Sequence, residues 1–248
     1  MQGIRRPVLL DMTRTLRRMA AVGVFLALAL SAPAQQPQAT SLPEFATTLK
    51  GIERYFVLLD RGDANVRHEK LAMLMAHHGL KLPDADRARL ADMAARAYPY
   101  VIETLDSRGG YLQLRCAVCE TTEFLTYWAR PKQSDLVASV SRSCGPVCED
   151  DLTFYALAAG KLAPVEAASV MPVVTRAEFL RDPRNADILD QDPFPLLYHL
   201  PRQGTTICIE LDGAENLDAF KGSSLSIEWR RGKFHKGSFG SCRAAGVK

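Results

Sequence analysis

The sequence predicts an α+β fold: an N-terminal three-helix segment, then a mainly antiparallel β-meander and hairpin sheet with one or two short helices, stabilised by disulfides. Apolar residues recur at helical spacing as far as about position 106, and beyond Gly110 the period shortens to two. The strand-like runs then follow one another too closely for parallel crossovers, which need roughly a dozen residues or more, so neighbouring strands must run antiparallel.

The first helix is expected from Ser41, which has capping-box spacing to Glu44, with Phe45, Leu49, Ile52 and Phe56 on its inner face. A second starts after Asp63, stops at Gly79 and turns Leu71, Leu74 and Met75 inward. A third runs from about Pro83 through Leu90, Met93 and Ala97 until Pro99 kinks or ends it. Residues 41–106 thus read as a helical segment and 107–248 as a β-rich segment, which together can form one domain. Strand-like runs in the second are Tyr111–Val118, Phe124–Arg130, Leu136–Ser143, Leu152–Leu157 and Lys161–Val165. Thr175–Asp190 reads as a short helix with Thr175 as its cap, interrupted at Pro183. Two hairpins follow: Leu196–Leu200 with Thr205–Leu211, then Leu225–Arg230 with Lys233–Phe239. A two-residue Arg231-Gly232 turn in the last sets Trp229 opposite Phe234 and Glu228 opposite His235.

Residues 1–34 have the pattern of a secretory signal peptide. Arg14, Arg17 and Arg18 precede an apolar run from Met19 to Leu30, and Ala32-Pro33-Ala34 supplies an A-x-A cleavage site. Met1 and Met12 are both starts compatible with this pattern. The run is too short to span a bilayer comfortably, so no stable membrane insertion is expected after cleavage. Residues 35–40 read as a disordered leader. The expected location is the bacterial periplasm or the medium outside the cell.

The whole chain carries a formal charge of +3. The signal segment holds five arginines and one aspartate, which leaves 26 basic and 27 acidic residues behind it. No net basicity therefore steers the mature chain toward nucleic acid or an anionic membrane. With 47% hydrophobic and 24% charged residues, the composition excludes a disordered chain, a coiled-coil rod and a multi-span membrane protein.

The six cysteines, Cys116, Cys119, Cys144, Cys148, Cys208 and Cys242, all follow the signal segment. In an oxidising compartment their default is structural disulfides. Cys208 and Cys242 lie in the two C-terminal hairpins and are expected to pair. If the first strand continues through Cys119, Cys116 and Cys119 point to opposite faces, and bridges from one close pair to the other are favoured. A turn at Ala117-Val118 reverses that choice. Two sharper readings compete. The C-x2-C and C-x3-C spacing resembles a zinc ribbon, although export opposes the reduced thiolates it needs. Cys116-Ala117-Val118-Cys119 also has the spacing of a thiol–disulfide oxidoreductase site, which needs a helix starting at the first cysteine; Met171-Pro172 is a candidate partner proline.

Other chemistry is sparse. His68, His77 and His78 read as solvated helix residues without HExxH spacing, and Glu149-Asp150-Asp151 as a solvated loop. There is no nucleophile elbow, P-loop or dinucleotide fingerprint, and no cofactor or metal is expected. Arg230, Arg231, Lys233 and His235 make a basic tip on the last hairpin. The expected function is binding without catalysis, with another exported or envelope protein as partner: an inhibitor, an immunity protein or an envelope adaptor. Two enzyme alternatives stand beside it: an oxidoreductase using Cys116 and Cys119, and a hydrolase whose site assembles only in three dimensions.

Overall fold

The computed structural model describes residues 41–59, 62–191, 194–214 and 218–240. The signal segment, the 35–40 leader and Cys242 lie outside the described residues. The α+β class is as predicted: helices come first, and two antiparallel sheets follow. No described helix is long and apolar enough to cross a membrane.

Two helices stand where one was expected, α1 (Leu42–Thr48) and α2 (Gly51–Leu58). Leu49 and Lys50 are extended, and Gly51 turns the chain with a left-handed φ of 53°, a conformation that costs glycine little. The predicted inner face survives the break, because Phe45, Leu49, Ile52 and Phe56 are all buried. Helix α3 (Ala64–His77) starts where Asp63 caps it, its carboxylate accepting from Asn65 N–H and Val66 N–H. The third predicted helix is shorter than expected. It ends as α4 (Asp84–Ala91) and a 3-10 turn at Met93–Ala95, and the chain from Tyr100 is already strand.

Six strands form the first sheet in chain order: β1 (Tyr100–Asp106), β2 (Tyr111–Cys116), β3 (Thr121–Trp128), β4 (Leu136–Cys144), β5 (Cys148–Ala158) and β6 (Lys161–Val165). A short helix α5 (Ala167–Val170), 3-10 turns at Arg176–Phe179 and Pro183–Asn185, and α6 (Ile188–Gln191) lead to the second sheet. The expected Thr175–Asp190 helix is thus broken into single turns, as Pro183 dictates. Glu178 still reaches back to accept from Thr175 N–H at 3.1 Å. The second sheet has four strands: β7 (Leu196–His199), β8 (Ile207–Leu211), β9 (Ser224–Arg230) and β10 (Lys233–Phe239), in the order β10-β9-β8-β7.

The period of two divides the six-stranded sheet between two cores. Trp128, Leu136, Ala138, Val140 and Phe154 pack with Ile207, Ile209, Leu225, Ile227 and Phe234 of the second sheet. Leu112, Leu114 and Leu125, on the opposite face, pack with Ile52, Phe56, Leu74 and Met75 of the helices. Close approach on the helical side is fixed at Gly110, where a Cβ would lie 2.7 Å from the Tyr127 ring. Between the two sheets Arg142 pairs with the fully buried Asp150 carboxylate, in register across β4 and β5 at 2.8 and 2.9 Å. Asp150 also accepts from Tyr198 N–H of β7 at 2.6 Å, and the Arg142 guanidinium lies 5.3 Å from the Phe124 ring centroid. The acidic run expected to be a solvated loop is therefore the start of β5, with its middle residue tying the sheets together.

Candidate functional site

Because β2 ends at Cys116 and β3 starts at Thr121, Ala117-Val118 lies in a turn. Cys116 is bonded to Cys119, and Cys144 to Cys148. This corrects the bridges favoured between the two pairs: the strand that would have sent Cys116 and Cys119 to opposite faces stops short, and each pair closes its own hairpin turn. The turns adjoin at one end of the six-stranded sheet, where Cys144 N–H donates to Glu120 C=O at 3.1 Å. Cys208 is also disulfide-bonded, while its expected partner Cys242 lies outside the described residues. The zinc-ribbon sulfurs are committed pairwise to these bridges. Cys116 is buried and Cys119 exposed, and a turn leading into a strand stands where an oxidoreductase needs its helix N-terminus.

The last hairpin has the predicted register, with Trp229 opposite Phe234 and Glu228 opposite His235. Its inner face is an aromatic cluster: Trp128 lies 4.9 Å from Phe234, and Trp229 lies 4.8 Å from Phe234, centroid to centroid. This packing holds the tip in place while Arg230, Arg231, Lys233 and His235 are all exposed. Arg230 pairs with Glu228, whereas Arg231 and Lys233 make no ion pair among the described residues. Arg231 and Gly232 have φ of 53° and 84°, the signs a type I′ turn requires.

A hydrolase of the serine or cysteine type would need an imidazole beside its nucleophile. His68 contacts Asp86, His78 contacts Glu53 at 3.3 Å and His199 contacts Glu210 at 2.7 Å. Ser107 donates to Glu53 at 2.5 Å, which puts the carboxylate, not the imidazole, in the middle. Among the described residues no serine, threonine or cysteine side chain hydrogen-bonds an imidazole. His68 and His78 are thus carboxylate-paired where plain solvation was expected, while His77 is exposed, with its ring against that of His78.

Nothing in the sequence reading pointed to the groove between the helices and the first sheet. Helix α2 packs on β2 and β3 and reaches β6, and α3 packs on β1. A cavity of about 490 Å³ opens between them, floored by Glu123, Ser139, Ser141 and Tyr155 and walled by Lys70 and Tyr98. The Lys70 ammonium donates to Leu59 C=O at 2.7 Å and Phe56 C=O at 3.3 Å, and lies over the Phe56 and Tyr98 rings at 4.7 and 4.5 Å. Tyr98 donates its hydroxyl to Glu123 and stacks on Tyr100, with centroids 4.5 Å apart. A second cavity of about 760 Å³ shares Leu59 and Tyr155 with the first and is bordered by Arg67 and Lys161. The available sequence signal was the alternation Ser139, Ser141, Ser143 on β4, which reads equally well as a solvated strand face.

The sequence matches no protein family and no curated protein. Among solved structures the fold is similar to that of a domain of an uncharacterized protein from Porphyromonas gingivalis W83. The two share 15% identity and superpose with a TM-score of 0.52 over 76% of this chain and 100% of that one. At that identity the likeness is one of fold alone.

Proposed function

We propose that this chain is an exported, disulfide-pinned binding module that works without catalysis and docks an acidic surface of another envelope or secreted protein through its last hairpin. Export is supported by the signal-like pattern of residues 1–34 and by the disulfides. The observation that carries the docking site is Arg231. A left-handed residue at the first position of an I′ turn is best filled by Asn, Asp or Gly, and a long side chain there costs about 1 kcal/mol. Here that position holds an exposed arginine with no ion pair among the described residues, beside Lys233, on a tip anchored by Trp229 and Phe234. A rigid support spares the backbone ordering cost of binding, so that only the cation side chains have to be immobilised.

The test is quantitative affinity capture from envelope extract, comparing wild type with Arg231→Glu/Lys233→Glu and with Arg231→Asn. The double variant is expected to lose its specific partner. Arg231→Asn is expected to weaken capture while raising the unfolding free energy by about 0.5–1 kcal/mol, because asparagine suits the turn. Capture that is unchanged in the charge-reversed variant would overturn the assignment.

A further inference from the structure

We infer that the groove between the helical layer and the first sheet is a second binding site, for an anionic oligosaccharide, separate from the hairpin tip and independent of it. The groove can be sorted by which of its polar groups are already engaged. In the first cavity the charges are spoken for. Lys70 is held by two carbonyls and two rings, Glu123 by the Tyr98 hydroxyl, and Asp63 by the amides it caps. What remains there is uncharged: the hydroxyls of Ser139, Ser141 and Tyr155 have no hydrogen-bond partner among the described residues, and they lie alongside the tyrosine rings.

A ligand suited to that half carries hydroxyls that both donate and accept, plus a flat apolar C–H face to lie on an aromatic ring. A sugar ring has both. The second cavity differs in kind. Arg67 and Lys161 border it, both exposed and neither ion-paired among the described residues, with Leu58, Leu162 and Pro164 between them. Tyr155 belongs to both cavities, so one extended chain can reach from the hydroxyl-lined half to the basic half. Successive sugar units, one on the Tyr155 and serine floor and a carboxylate-bearing one at Arg67 and Lys161, satisfy both halves. Each cavity is of the size that small-molecule sites have.

The experiment is calorimetric titration of the full chain with hexagalacturonate, with maltohexaose as the uncharged sugar and hexaglutamate as the charged chain without sugar. Hexagalacturonate is expected to bind saturably and more tightly than either control. Arg67→Ala/Lys161→Ala, at exposed positions that leave the fold intact, should weaken hexagalacturonate about tenfold or more through lost charge-assisted hydrogen bonds, and leave maltohexaose unchanged. Tyr155→Ala should weaken both sugars, with Tyr155→Phe keeping the ring and separating stacking from hydroxyl contact. Absence of saturable hexagalacturonate binding overturns the proposal. So does equal binding of hexaglutamate, which would make the site a basic patch for acidic peptides. Loss of sugar binding in Arg231→Glu/Lys233→Glu, with the groove variants unaffected, would transfer the anion to the hairpin and also overturn it.

Discussion

Asp150 illustrates how burial decides what a charged residue is worth. Its side chain is fully buried, and its oxygens are divided between the Arg142 guanidinium and the Tyr198 amide. Asp150→Asn removes the charge from the buried side of the pair and leaves the guanidinium, itself 18% exposed, with an uncharged partner, and the expected cost is about 3 kcal/mol, the low end for a broken buried pair. Arg115 makes an equally short contact to Glu103, at 2.6 Å, with over half of the Arg115 side chain exposed. There, Arg115→Ala should change stability by under about 1 kcal/mol, since water and salt screen the pair. Urea unfolding of the two variants tests the contrast, and similar midpoints would refute it. The sequence could not separate these residues. Glu149, Asp150 and Asp151 are adjacent acidic side chains, and only the strand period, once the start of β5 is known, turns the middle one inward.

At the scale of elements, what local chemistry decides was readable and what depends on one or two backbone angles was not. The β9–β10 register next to the turn followed from an Arg-Gly turn of fixed length, and the structure has it from Lys233 to Lys236, beyond which the register shifts and Phe239 pairs with Leu225. The α1–α2 break was missed because the apolar spacing continues through it: Leu49 is buried from an extended conformation as it would be from a helical one. Strand β1 falls inside the 41–106 segment that reads as helical, because Tyr100, Val101, Ile102 and Leu105 fit either period. The disulfides turned on whether two residues form a turn. Since each described bridge spans three or four positions, the chain-entropy model assigns each about 2 kcal/mol. Cys144→Ser/Cys148→Ser should therefore lower the unfolding free energy by about that amount with the sheet intact. A cost near zero, or loss of the native circular dichroism spectrum, would show that the bridge has some other role. The groove was invisible at this scale as well, because its Arg67, Ser141, Tyr155 and Lys161 come from four elements, and no spacing rule relates them.

Across the whole molecule, three phenols report on the packing of separate layers. Tyr55, on α2, donates to Asp135 at 2.6 Å, Tyr111 of β2 lies in the core between the sheets, and Tyr198 sits on β7. Burial raises the pKa of all three above the usual 10.0, reinforced at Tyr55 by the hydrogen bond to Asp135 and at Tyr198 by the nearby Asp150 charge. At neutral pH each is protonated whether the chain is folded or not, so the shifts contribute no pH dependence there. Above the unfolded value of 10.0 the unfolded chain sheds protons that the folded chain keeps, and stability falls as pH rises toward the folded values. Alkaline unfolding followed by tyrosinate absorbance and by circular dichroism should give coincident transitions for these phenols, above about pH 10. Tyr55→Phe should remove one part of that slope while costing about 1–3 kcal/mol at neutral pH, because the partly buried Asp135 carboxylate loses its donor. If all seven tyrosines ionise near pH 10 with the secondary structure unchanged, the phenols are open to solvent and the layers pack less tightly than these contacts require.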